Sequence, residues 1–162
     1  MFGEEYTLVA CADYVLGKLG GGNTVSNLSS SRALRDITHI HGGTYTASAV
    51  GEVNVVIKMK ETNTVIGGEG NGGIIYPASH YGRDSLVGVA LFLSLMAHKK
   101  MSCKALRDSY PSYFMSKNKI QLTPEIDVDR ILETIANKYA GEEVNTIDGI
   151  KIDFAKQWVH LR

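Results

Sequence analysis

The sequence is short of net charge, of cysteine and of long apolar runs, and each shortage excludes a class of protein. Lys plus Arg number 17 and Asp plus Glu number 17, so the formal net charge is zero. No bulk field would gather phosphate backbones or anionic lipid. The balance holds along the chain, with 11 basic and 9 acidic residues up to Asn118 and 6 and 8 after it. Neither part reads as a nucleic-acid-binding arm, and no nucleic-acid partner is expected. The two cysteines, Cys11 and Cys103, stand far apart and lack partners at metal-ligand spacing. In a chain of this size that pattern fits a reducing compartment, and the cytoplasm is the expected location. The longest apolar run, residues 86–97, covers 12 positions and is interrupted by Gly88 and Ser94. That falls well under the roughly 20 residues needed to span a bilayer. The run reads instead as a helix buried on all sides, and no membrane partner is expected. The opening MFGEEYTL has acidic residues where an export signal is basic and then apolar, so none is expected here.

What is present suits a globular protein with a real core: 162 residues, 44% hydrophobic and 21% charged. The length allows one domain, or one domain and a piece of another. Apolar spacing predicts a helix over residues 4–16, stopped by Gly17 and the glycines at 20–22. A strand over 24–28 is followed by Ser29-Ser30-Ser31, whose hydroxyls are expected to cap a helix running to about His41. The order repeats with a strand over 44–48, a helix over 52–60 and a short strand at 65–66. Such alternation argues for an α/β layer on a largely parallel sheet. A brief strand is expected at 74–76, then a helix capped by Asp84 and running to about His98, and a shorter one capped by Ser102. Residues 113–122 are extended in character, and Thr123-Pro124 punctuates them. An amphipathic helix over 128–139, a hairpin turning at Asp148-Gly149 and a last strand over 158–161 complete the chain.

The sharpest local feature is Gly67-Gly68-Glu69-Gly70-Asn71-Gly72-Gly73, five glycines in seven positions around one carboxylate and one amide. Glycines let backbone approach a ligand closely. Gly68, Gly70 and Gly73 satisfy GxGxxG, but that fingerprint must open a helix, and Ile74-Ile75-Tyr76-Pro77 follows instead. A carboxylate beside a carboxamide suits the neighbouring hydroxyls of a sugar, because a carboxylate can accept two O–H groups in charge-assisted bonds. The competing account is a tight turn with Glu69 in solvent. The serine triplet has no adjacent base, so no nucleophile is assigned. The five histidines share no metal-ligand spacing. Glu52 suits a helix start, where the dipole favours a carboxylate, and Arg83 is expected in solvent or in a salt bridge.

GEGNGG at residues 68–73, then IIYP and YGRDSLVGVALFL, resembles the third domain of the α-D-phosphohexomutases, the phosphoglucomutase, phosphomannomutase and phosphoglucosamine mutase superfamily. VSNLSSSRAL at 25–34, VGEVNV at 50–55 and DGIKIDF with WVHLR across 148–162 extend the resemblance in order. FGEEYTLVACADYVL at 2–16 resembles the end of that family's second domain. The resemblance implies a three-layer α/β/α domain with a mixed, largely parallel sheet, followed by a partial α+β domain. It divides the chain into a tail of the second domain (1–18), the third domain (19–120) and the start of a fourth, phosphate-binding domain (121–162). It also implies that Gly68, Glu69, Gly70, Asn71, Gly72 and Gly73 form a sugar-binding loop in which Glu69 bridges two hydroxyls. Asn71 stands where the family usually has serine, and Gly73 where it has histidine. Glu52 falls near a position where some members place a cleft histidine, and Arg162 at the first position of the phosphate-gripping loop.

The family's phosphoserine loop and its magnesium-binding aspartate loop have no counterpart in these 162 residues. The resemblance therefore implies a fragment, inactive alone, of an enzyme that interconverts hexose 1-phosphate and 6-phosphate. The hexose phosphate and the parent's remaining domains are its implied partners, and Mg2+ its implied cofactor, with ligands outside this chain. The alternative is a non-catalytic sugar-phosphate binding or regulatory module. The sequence specifies neither the preferred hexose nor an oligomeric state.

Overall fold

The computed structural model describes residues 2–123 and 125–162. The chain divides into two compact units, one ending at Phe114 and the next beginning at Met115.

The first unit is built on a four-stranded sheet. Helix α1 (Glu4–Leu19) opens it, with Glu4 and Glu5 in its first turn, Lys18 in its last, and Gly20 closing it in the left-handed conformation at φ 74°. The acid-first, base-last order complements the helix dipole, and only glycine takes that closing geometry without strain. Strand β1 (Thr24–Asn27), helix α2 (Ala33–Ile40), strand β2 (Tyr45–Ser48), helix α3 (Glu52–Glu61) and strand β3 (Ile66–Gly68) follow, then strand β4 (Ile74–Ile75) and helices α4 (Ser85–Lys99) and α5 (Cys103–Asp108). The sheet order is β2-β1-β3-β4, with β1 parallel to both its neighbours and β4 antiparallel to β3. From β1 the chain moves outward to β2 and then returns across β1 to β3. Right-handed crossovers in opposite directions must place their helices on opposite faces. Accordingly Ala33, Leu34 and Ile37 of α2 pack with α1 and Ile66 in one cluster. Val55 and Met59 of α3 pack with Val25 and Ile75 in another. The α/β/α layering expected from the sequence is the observed one.

In the structure α1 packs into the first unit: Leu8, Val9, Ala10, Cys11, Ala12, Val15 and Leu16 are fully or almost fully buried in its larger core. The break between the two units falls after Phe114. One expectation needs correction: helix α4 is not buried on all sides. Gly88 and Leu95 are its buried residues, while Leu86, Val89 and Leu93 are 81%, 55% and 57% exposed. The apolar run is long enough to hide that only one stripe meets α1.

One polar group ties the α1 layer together. Asp13, on α1, is buried and accepts from Lys99 Nζ at 2.5 Å, Tyr110 Oη at 2.8 Å and pairs with His41 Nε2 at 2.8 Å. Burial pushes its carboxyl up, but these donors outweigh that and hold it below the usual carboxylate range. Nearby, burial pushes the Cys11 thiol up to about 12, which removes it from thiolate chemistry at neutral pH.

In the second unit, helix α6 (Val128–Lys138) is capped by Asp127, whose carboxylate accepts from Arg130 N at 3.0 Å. Strands β5 (Glu143–Asn145), β6 (Ile150–Asp153) and β7 (Trp158–Leu161) form an antiparallel meander in that order. The turn between β5 and β6 needs Gly149, at φ 68°, where a Cβ would lie 2.1 Å from Leu161 O. This unit has the α+β character expected from the sequence. The expected Thr123-Pro124 turn lies partly outside the described residues, since Pro124 is not among them.

Candidate functional site

Strand order 2-1-3 creates a topological switch point between β1 and β3, and crevices outside the carboxyl ends of such strands are where α/β sheets bind ligands. The carboxyl end of β3 is Gly68, followed at once by Glu69. The carboxyl end of β1 is Asn27, followed by the serine triplet. The glycine-rich loop thus sits at the one place on this sheet where topology opens a crevice.

The loop is a compact turn between antiparallel strands. Glu69 N donates to Gly73 O at 3.1 Å and Gly72 N to Glu69 O at 3.1 Å. Gly73 N donates to Asn71 Oδ1 at 3.1 Å, which leaves the Asn71 Nδ2 hydrogens as its donors for a ligand. Because β4 follows, no helix opens at Gly73 and the dinucleotide fingerprint is not met.

Glu69 is not the solvent-exposed carboxylate of an idle turn: it is only 7% exposed. Its Oε1 accepts from Asn27 Nδ2 at 2.8 Å, and its Oε2 lies 3.9 Å from Arg83 Nη1. Arg83 is held chiefly by Glu52, with Nε donating to Oε2 at 2.7 Å and its backbone N to Oε1 at 3.2 Å. Glu52 stands at the first turn of α3 and Arg83 just before α4, so this pair joins two helix N-termini beside the loop. An open cleft of about 590 Å³ is lined by Glu52, Asn71, Gly72, Gly73, Ile74, Arg83, Asp84 and Ser85. Glu69 is not part of that lining; its Oε2 lies 3.9 Å from Arg83, which is.

Asp84 caps α4 as expected, its Oδ1 accepting from Leu86 N at 2.9 Å and Val87 N at 3.0 Å, while Oδ2 pairs with His80 Nε2 at 3.0 Å. The backbone bond from Val87, then the His80 contact, holds its carboxyl below the usual range. The serine triplet divides its roles. Ser31 Oγ accepts from Ala33 N at 3.3 Å, at the first residue of α2, while Arg32 occupies the N-cap and makes no side-chain cap. Ser30 Oγ instead accepts from Gly70 N at 3.0 Å and donates to Asn27 Oδ1 at 3.0 Å. Ser30 and Asn27 are therefore part of the site, and sequence reasoning misses both. A polar residue at the end of an expected buried strand is the signal that points to Asn27.

The structure thus brings Glu52, Gly68, Glu69, Gly70, Asn71, Gly72 and Gly73 together. Arg162 belongs to the second unit, where its Nη1 lies 3.6 Å from Asp148 Oδ2. Among the described residues no three His, Cys, Asp or Glu side chains converge as a metal site, so the residues present do not fit a magnesium centre. Among the described residues no helix is long and apolar enough to cross a membrane.

Comparison with known proteins converges on one family. The family model for phosphoglucomutase/phosphomannomutase, alpha/beta/alpha domain III, matches residues 3–113. A phosphoglucomutase/phosphomannomutase of Thermococcus kodakarensis is 33% identical over 98% of this chain and 35% of its own length. A phosphoglucosamine/phosphogalactosamine mutase of Sulfurisphaera tokodaii is 33% identical over 85% of this chain and 31% of its own. A phosphoglucomutase/phosphomannomutase family protein from Burkholderia thailandensis shares the fold with a TM-score of 0.75 at 24% identity, over 95% of this chain and 33% of that one. The chain spans about a third of the length of the relatives it matches. With helix α1 inside the matched residues and the buried Glu69 at the switch point of the matched sheet, the chain belongs to the phosphoglucomutase/phosphomannomutase family.

Proposed function

We propose that this chain supplies the hexose-hydroxyl-binding loop of a phosphohexomutase that interconverts hexose 1-phosphate and 6-phosphate by phosphoserine-mediated phosphoryl transfer. The observation that carries the reading is a carboxylate held nine-tenths buried at the switch point, with one oxygen bonded to Asn27 and the other 3.9 Å from Arg83, which lines the cleft. A buried carboxylate without a strong partner on its second oxygen is costly, and a sugar hydroxyl is a partner of the right size and polarity. Arg83 lines the cleft and its Nη1 lies 3.9 Å from Oε2, so a sugar reaches Oε2 by displacing that half-exposed guanidinium from the carboxylate. Asn71 and the loop amides contribute donors to neighbouring hydroxyls.

In such a reaction the role of these residues is orientation. Fixing the hexose so that one oxygen after the other meets the phosphoryl donor removes the entropy of positioning from the chemical step. The phosphoserine, the metal loop and all of the phosphate clamp but Arg162 belong to other parts of the enzyme, and the loop residues of this chain act by holding the sugar. The chain alone therefore carries out no mutase turnover. It binds glucose 1-phosphate or mannose 1-phosphate in the millimolar range, with amide shifts in NMR spectra centred on residues 68–73. Micromolar binding would favour a stand-alone sugar-phosphate module, and shifts that avoid the loop would contradict the site.

A further inference from the structure

The hydrogen bonds around Glu69 form a closed ring whose direction is fixed at every link. Gly70 N–H can only donate, and it donates to Ser30 Oγ at 3.0 Å. Ser30 has one proton of its own, and Asn27 Oδ1 can only accept it, at 3.0 Å. The oxygen side of the Asn27 carboxamide is thereby occupied, which turns its Nδ2 to Glu69 Oε1 at 2.8 Å. The peptide bond from Glu69 to Gly70 closes the ring. Asn27, Ser30 and Glu69 are all buried, at 4%, 2% and 7% exposure, so water does not compete with these bonds. Among the described residues Asn27 is the one direct hydrogen-bond donor to the Glu69 side chain, because Arg83 at 3.9 Å is beyond hydrogen-bond length.

We propose that Asn27 and Ser30 are positioning residues for Glu69. The ring holds Oε1 on the sheet side and leaves Oε2 as the oxygen that receives the sugar, so the loop carboxylate is aimed from β1, 42 residues earlier in the chain. The inference rests on the reading of this loop as a hexose site. It adds that two residues which touch no substrate decide how the carboxylate is presented.

Asn27→Asp tests it with almost no change of size. The substitution replaces the donor by a second carboxylate against Glu69. Glucose 1-phosphate binding, followed by NMR and expressed at each pH relative to the unaltered chain, falls at least tenfold at pH 8. It recovers as the pH is lowered towards 5, because a proton on one of two abutting carboxyls restores an O–H···O bond. Asn27→Ala stays weak at every pH. Ser30→Ala removes one oxygen atom and reads the ring without any ligand: hydrogen exchange at the Gly70 amide accelerates at least tenfold while the melting temperature stays within a few degrees. A purely structural role would lower binding in Asn27→Asp without a pH profile distinct from that of Asn27→Ala. Unchanged binding in Asn27→Asp at pH 8, or unchanged Gly70 exchange in Ser30→Ala, overturns the positioning role and leaves the hexose site standing. Absence of binding by the unaltered chain would bring down the hexose reading and the positioning role together.

Discussion

Glu69→Gln is expected to lower the affinity of this chain for glucose 1-phosphate by about two- to thirtyfold, with little change in fold. Glutamine keeps the shape and can still offer a carbonyl oxygen to Asn27 Nδ2, so the ring of bonds at the switch point survives. The second position then carries an amide in place of a charged oxygen. Hydrogen bonds to a charged group contribute about 1.5–3 kcal/mol against about 1 for neutral pairs, and each 1.4 kcal/mol is about tenfold in affinity. The amide also removes the charge on the side of Oε2 that faces Arg83, 3.9 Å away. A titration followed by NMR or calorimetry checks the size of the loss, and binding equal to the unaltered chain would mean that Glu69 does not hold the sugar.

Gly68→Ala is expected to have the largest effect on the fold around the site. Gly68 has φ 156°, is buried in β3 opposite Ile74, and a Cβ there would stand 1.9 Å from Gly73 O and 3.4 Å from Leu8 Cδ1. The obstacle is backbone, so the loop must move to accommodate a methyl group. Loss of the β3–β4 turn and of Glu69 placement follows, with destabilisation of about 3 kcal/mol or more. Gly72 provides the contrast. Its φ of 88° disfavours a side chain, yet a Cβ would meet nothing closer than 3.8 Å. Gly72→Ala then costs about 1 kcal/mol, from the left-handed backbone alone. Urea unfolding of the two variants separates the accounts: a difference of about 2 kcal/mol between them is expected, and equal losses would show that packing against Gly73 O does not limit the loop.

The alternation of strands and helices in the first unit is legible because apolar periodicity, glycine stops and cap residues agree there. Asp84 capping α4 is the plainest case, and residues 66–75 follow in the same way, since the proline after Tyr76 argues against a helix. The glycine loop and Glu69 are also readable, through composition and through the family resemblance. What escapes is long-range. Asn27 and Glu69 become neighbours only because the chain goes out to β2 and returns past β1, and nothing local to either residue encodes that return. Ser30 stands beside a helix start, where capping is the inexpensive local role, but its partner lies 40 residues away. Arg83 has no local mark beyond its charge, although it joins Glu52 to the front of Glu69. The exposure of Leu86, Val89 and Leu93 is hidden by composition. Residues 86–97 carry no charge to mark which side is covered, so the run itself does not reveal that α4 has a single buried stripe.

The central claim is that a hexose is held by Glu69 from the cleft side, and a crystal of this chain soaked with glucose 1-phosphate tests it most directly. The account requires a hexose hydroxyl within about 3.2 Å of Glu69 Oε2, Arg83 swung away from that oxygen, and Oε1 still bonded to Asn27. Sugar density elsewhere on the unit, with Glu69 still covered by Arg83, would contradict it.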